Sequence, residues 1–251
     1  MYSVTQRIKA IKQPRGGYIK PKDFSSLQLD DGIELCPNEN VSAILVGSAV
    51  DYLTRYMMGA PVAEAFKISL LGAARIKETT YAQNLTSEIT GLDDVSIINA
   101  CKMTGYDVCF RAQIALYKPV QEICPDAETI SNIRIMVNRS LSFWKEYGPI
   151  VVDGFTFEGG YTSVVSSGDG DFLTTDTLWD FKVSKEAPKN QHTLQLLMYY
   201  IMGCHSIHKE FQDIKKLGIF NPRLNKIYLL EIANISDEVI QEVSSEVIGY
   251  K

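Results

Sequence analysis

Several things are scarce in this sequence. Its 251 residues include two tryptophans, three histidines and five cysteines, and no CxxC pair. The odd, scattered set of Cys36, Cys101, Cys109, Cys124 and Cys204 gives neither a zinc ribbon nor a secreted disulfide framework, so these residues read as reduced core thiols. The longest apolar run, Leu196 to Met202, is far below the roughly 20 residues a membrane-crossing helix needs. The opening MYSVTQRIK has no secretory apolar region. A cytoplasmic protein with no membrane partner is expected. No GxxxxGK[ST] phosphate loop occurs, so helicase or ATPase activity would have to come from a partner. Repeats, low-complexity tracts and Pro/Gly-rich linkers are also missing. With 45% apolar and 22% charged residues, the chain suits one domain over 1–251 with a substantial core.

The net charge of −5 argues weakly against a nucleic-acid partner, but it is unevenly spread. Arg7, Lys9, Lys12, Arg15, Lys20 and Lys22 all precede the first acid, Asp23. The segment 1–40 therefore opens with a basic arm, which suits either a phosphate-binding surface or a solvated terminus.

Hydrophobic period divides the rest. Residues 41–58 predict a helix with Leu45, Ala49, Tyr52 and Tyr56 on its apolar stripe and Gly47, Ser48, Asp51, Thr54 and Arg55 opposite. Residues 60–147 are mostly helical and end at Gly148-Pro149. Between 150 and 184 the runs IVVDGFTF, YTSVVSS and TLWDFKVS predict a strand meander. A helix over about 190–203, a strand in KIYLLEIANI and a closing helix over 236–251, capped by Ser236, complete an α/β or α+β layer fold.

Within GDGDFLTTDTLWDFKVS the alternation puts Trp179, Phe181 and Val183 on one face and Leu178, Asp180 and Lys182 on the other. A hairpin loop of either two or four residues pairs Leu173 with Leu178 and Asp171 with Asp180, and sets Asp169 opposite Lys182. Like charges facing across a ladder need a cation, a raised pKa or full exposure to water. Mg2+ or Mn2+, held by one or two carboxylates plus water and phosphate oxygens, would supply the cation. A polar strand face in water is the other outcome of the same pattern.

An acid followed, on the next strand, by Asp-x-Lys resembles the metal-binding core of the PD-(D/E)XK nuclease superfamily. Downstream, QHTLQLLMYYIMG carries Gln195 and Tyr199 one turn apart, similar to the QxxxY motif of the RecB-like branch. Upstream, LVGSAVDYL resembles that branch's first motif, Gly-x-x-x-His, with Asp51 where those enzymes carry a histidine metal ligand. The resemblance spans about 41–203 and implies a restriction-endonuclease-like core. In such a core a mixed β-sheet is flanked by helices, with a helical insertion (60–147) before the catalytic hairpin and a catalytic sheet and QxxxY helix over 150–235.

The resemblance further implies a Mg2+- or Mn2+-dependent deoxyribonuclease acting as an exonuclease or end-processing enzyme, while the composition, rich in Ile, Lys and Asn with few Trp, points to a bacterial or phage source. Asp171 and Asp180 would hold the metal, with Asp51 as a further ligand. Lys182 would assist the attacking water or stabilise charge, and Gln195 and Tyr199 would position the site. DNA is the expected partner, alone, with a helicase or recombination protein, or within a homo-oligomer. Some members of the branch carry a four-cysteine iron–sulfur cluster. Only Cys204 follows the QxxxY helix here, so no cluster is expected. The alternative function is a weak or inactive nuclease fold kept for DNA binding or interaction, and Asp51 in place of histidine points that way.

Overall fold

The change of period at Gly148 is also a change of architecture in the computed structural model, which describes residues 1–251. The N-terminal arm forms a two-residue strand β1 (Tyr2–Ser3), a helix α1 (Val4–Ala10) and a strand β2 (Ser25–Gln28). Seven helices follow: α2 (Ala43–Met57), α3 (Val62–Ala65), α4 (Lys67–Arg75), α5 (Thr79–Ser87), α6 (Asp94–Thr104), α7 (Asp107–Arg111) and α8 (Ala127–Tyr147). The remainder supplies β3 (Val152–Phe155), β4 (Val165–Ser167), β5 (Gly170–Leu173), β6 (Thr177–Phe181), α9 (Asn190–Cys204), β7 (Lys216–Asn221), β8 (Lys226–Glu231) and α10 (Asp237–Glu242). No helix is long and apolar enough to cross a membrane.

Although no linker is visible in the sequence, the chain divides into two compact units. One comprises Met1–Leu29 with Trp144–Lys251, the other Asp30–Phe143. The first is α/β, with a mixed six-stranded sheet in the order β2-β8-β7-β6-β5-β3. Only β6 and β7 run parallel, joined through α9. Both faces of the central strands are buried. Leu173 and Leu178 pack with Leu194, Leu197, Val4 and Ile8, so α9 and α1 cover one face. On the other, the Trp179 ring meets Trp144 and Tyr147 from the end of α8. Trp179 lies opposite Gly218 on β7, where a Cβ would sit 2.4 Å from the indole, so only glycine admits the ring.

In the second unit α2 buries Val46, Ala49, Val50 and Leu53 completely. Its Tyr52 hydroxyl donates to Asp107 at 2.7 Å, and Ser69 donates to the other oxygen of that carboxylate at 2.6 Å. One buried acid thus joins α2, α4 and α7. Burial pushes the Asp107 carboxyl above its ordinary range, against the lowering effect of these two donors.

Four expectations are corrected. Strand β4 leaves the meander and pairs in parallel with β1, so β3 lies directly beside β5. Strands β2 and β7 have no counterpart in the periodicity reading. Of the five cysteines, Cys101 and Cys109 are buried, whereas Cys124 and Cys204 are exposed. The closing helix starts at Ser236, whose hydroxyl accepts from Val239 N–H, but turns into a π-helical segment over Val243–Ile248.

Candidate active site

The hairpin β5–β6 turns through Thr175-Asp176, and Thr174 N–H donates to the Thr177 carbonyl at 3.0 Å. Of the two loop lengths the sequence allowed, the two-residue form is the one adopted. Register runs Leu173 to Leu178 and Phe172 to Trp179. Asp171 and Asp180 stand at the next position along it. Asp171 accepts the Phe181 backbone N–H at 2.8 Å. Asp180 is 2% exposed, because its strand is central and α9 covers its face. A polar face in water is therefore excluded.

Lys182 follows β6 directly, and its Nζ lies 2.9 Å from Asp180 Oδ1. The other carboxylate oxygen, Oδ2, is buried without a hydrogen-bond partner. An ionised carboxylate in that position is poorly compensated. Burial raises the Asp180 pKa and the Asp171 charge adds to the rise, while Lys182 pulls it back in part. Burial lowers the Lys182 pKa, but the Asp180 and Asp171 charges outweigh it and hold the ammonium above its ordinary value. Asp169 adds to the same field, as its place opposite Lys182 in the register predicts.

The QxxxY pair closes on itself. Gln195 Nε2 donates to the Tyr199 hydroxyl at 2.8 Å, which gives the lone amide in LQLLMYY its partner. The Tyr199 ring is buried against Phe155 and Phe157. Burial, with the Asp180 charge, holds the Tyr199 hydroxyl protonated well above its ordinary pKa.

Beside Lys182 opens a cleft of about 270 Å³. Gln191, His192 and Gln195 line it from α9, and Thr5, Ile8 and Lys9 from α1. The basic arm therefore contributes to this site. His192 was not singled out from the sequence, and Lys9 was named only as one cation of the basic arm. His192 does stand three residues before Gln195 on the same helix face, and that spacing could have flagged it. Its Nδ1 accepts the Lys189 backbone N–H at 3.2 Å, which orients the ring.

The donor set suits a hard divalent cation. Two carboxylates come together on one sheet face, one with a buried oxygen that lacks a partner, and water and phosphate oxygens would complete a shell. No group of three His, Cys, Asp or Glu side chains is gathered there or elsewhere. Asp51 lies in the second unit, on α2, where Arg55 donates to it at 3.0 Å. Asp171, Asp180, Lys182, Gln195 and Tyr199 all belong to the first unit. Comparison with protein-family models, with curated proteins and with solved structures returns no significant match for this chain.

Proposed function

We propose that the chain is a metal-dependent nuclease that hydrolyses DNA phosphodiester bonds at or near strand ends. The observation that carries this reading is the buried, unpartnered Oδ2 of Asp180, set beside Asp171 on one side and the Lys182 ammonium on the other. Such an arrangement is costly unless a further cation belongs there. Asp171 and Asp180 would hold Mg2+ or Mn2+, which when bound supplies Lewis-acid activation of water and neutralises phosphate charge.

The chain's own groups do the rest. Lys182, bonded to Asp180 at 2.9 Å, is placed to stabilise the charge that develops on the phosphoryl oxygens or to assist the attacking water. Gln195, fixed by Tyr199, presents a polar edge to the cleft and orients the strand there. The choice of DNA and of strand ends rests on the resemblance of the Asp-x-Lys and QxxxY motifs to RecB-like nucleases.

A second reading, a nuclease fold retained for DNA binding, is favoured by the Asp51–Arg55 ion pair, because that carboxylate already has a cation. A manganese titration of Asp51→Ala separates its two roles. A tenfold loss of affinity assigns Asp51 to the metal, and unchanged affinity leaves it to Arg55.

The activity is tested with end-labelled linear and closed-circular DNA in Mg2+, Mn2+ and EDTA, for wild type and Lys182→Ala. Metal-dependent cleavage of linear DNA by wild type alone is expected. Cleavage that survives both EDTA and the substitution overturns the mechanism, and binding without cleavage favours the second reading.

A further inference from the structure

We infer that the cleft between α1 and α9 is a second phosphate subsite, in which Lys9 and His192 hold a phosphodiester neighbouring the one cleaved. This inference rests on the nuclease reading and adds to it the N-terminal helix as a substrate-binding element.

Three features of the cleft carry it. First, its cations are unequal. Lys182 is bonded to Asp180 at 2.9 Å, whereas Lys9 is exposed and makes no ion pair. One ammonium is therefore available to an incoming anion. Second, His192 enters as a neutral donor. Its Nδ1 must carry a lone pair to accept the Lys189 N–H, so the ring proton resides on Nε2, the nitrogen left for a ligand. Third, Thr5 lies one helical turn before Lys9, which brings a hydroxyl and the ammonium to the same side of α1.

Lys9, His192 and Thr5 together present one unpaired positive charge and two neutral polar groups, beside the neutral amides of Gln191 and Gln195. That matches the single negative charge of an internal phosphodiester and falls short of a doubly charged terminal phosphate. The wall that carries these groups is fixed. Val4 and Ile8 of α1 are buried against α9, Thr193 donates to the Ile19 carbonyl at 2.7 Å, and Arg7 donates to the Val247 carbonyl at 2.8 Å. The arm is thus anchored at three points around the cleft.

The test measures DNA binding in EDTA, and cleavage in Mn2+, as functions of salt for wild type, Lys9→Gln, His192→Leu and His192→Gln. Lys9→Gln is expected to weaken binding roughly five- to tenfold and to reduce the salt slope by about 1, the signature of one lost phosphate contact. His192→Leu is expected to raise KM, and His192→Gln, which keeps an N–H donor, to recover part of that loss. Unchanged salt slope and KM in all three variants overturn the subsite even if wild type cleaves DNA. Binding in EDTA that shifts as expected, without cleavage in Mn2+, supports the subsite while overturning the nuclease reading. Wild type that neither binds in EDTA nor cleaves in Mn2+ overturns both. A strand with a 5′- or 3′-terminal phosphate that binds tenfold tighter than its unphosphorylated form, through Lys9, overturns the internal-diester assignment.

Discussion

Asp180 is the residue on which the site depends. A carboxylate 2% exposed, with one oxygen on Lys182 and the other unpartnered, keeps its charge only because the ammonium is 2.9 Å away. Removing one member of such a pair costs more than the pair contributes, because the survivor is left buried and uncompensated. Lys182→Met should therefore lower the unfolding free energy by about 3 kcal/mol in metal-free buffer. Asp180→Asn with Lys182→Met should lose less than the two single changes added together, because the two residues share one interaction. Urea unfolding of the four proteins measures this, and strict additivity would remove the coupling on which the site argument rests. The acid, the lysine and their register were legible from alternation alone, since Asp-x-Lys cannot be split between faces of a strand. Burial of their face was not legible. It arises from α9 and α1, and no local pattern reports what covers a strand.

At the scale of elements, legibility followed how one-sided each element's surroundings are. Helix α2 has one apolar stripe, and residues 41–58 were read close to its observed span. Strand β7, KLGIFN, begins with a lysine and carries Gly218, placed for the Trp179 ring on the next strand, so its sequence looks broken when viewed alone. Strand β2, SSLQ, is exposed along its length at the sheet edge and has no alternation to find.

The segment after β2 is fixed by a tertiary ion pair that spacing likewise does not announce. Arg139 on α8 donates to both oxygens of Asp31, at 2.6 and 3.0 Å, and to the Ile33 carbonyl at 2.6 Å. These bonds from Arg139 hold the Asp31 pKa below its ordinary value, against the opposing effect of burial. A carboxyl whose pKa is depressed on folding contributes stability that is fully present above the unfolded value, about 3.9, and lost as pH falls through the folded value. Arg139→Met should cost about 2 kcal/mol at neutral pH, the scale of hydrogen bonds to a charged group. That deficit should shrink as pH drops below about 4, where Asp31 takes up a proton first in the unfolded state and, lower still, in the folded one. Thermal unfolding of the two proteins at neutral and acid pH reads the difference, and a deficit that grows on acidification would contradict it.

For the whole molecule, the charge imbalance seen along the sequence acquires a place. The first unit holds sixteen basic and sixteen acidic residues, and the second nine and fourteen, so the net −5 belongs to the Asp30–Phe143 unit. In the first unit the cations concentrate in the N-terminal arm, which lies against α9 beside the two facing acids. A chain acidic overall can therefore present a locally basic approach to a phosphate backbone, since steering depends on the field at the site rather than on net charge. The sequence displayed this segregation but not its target, because the contact between α1 and α9 joins residues nearly two hundred positions apart.

The consequence is a footprint. Lysine acetylation with and without DNA, read by mass spectrometry, should show protection of Lys9, Lys12, Lys20 and Lys22. Lys67, Lys77 and Lys102 of the acidic unit should react equally in both conditions. Raising the salt should abolish the protection, because the contacts are to phosphates and are screened within about 10 Å at 0.1 M. Protection confined to Lys67, Lys77 and Lys102 would place the nucleic acid on the acidic unit and separate it from the Asp171–Asp180–Lys182 constellation.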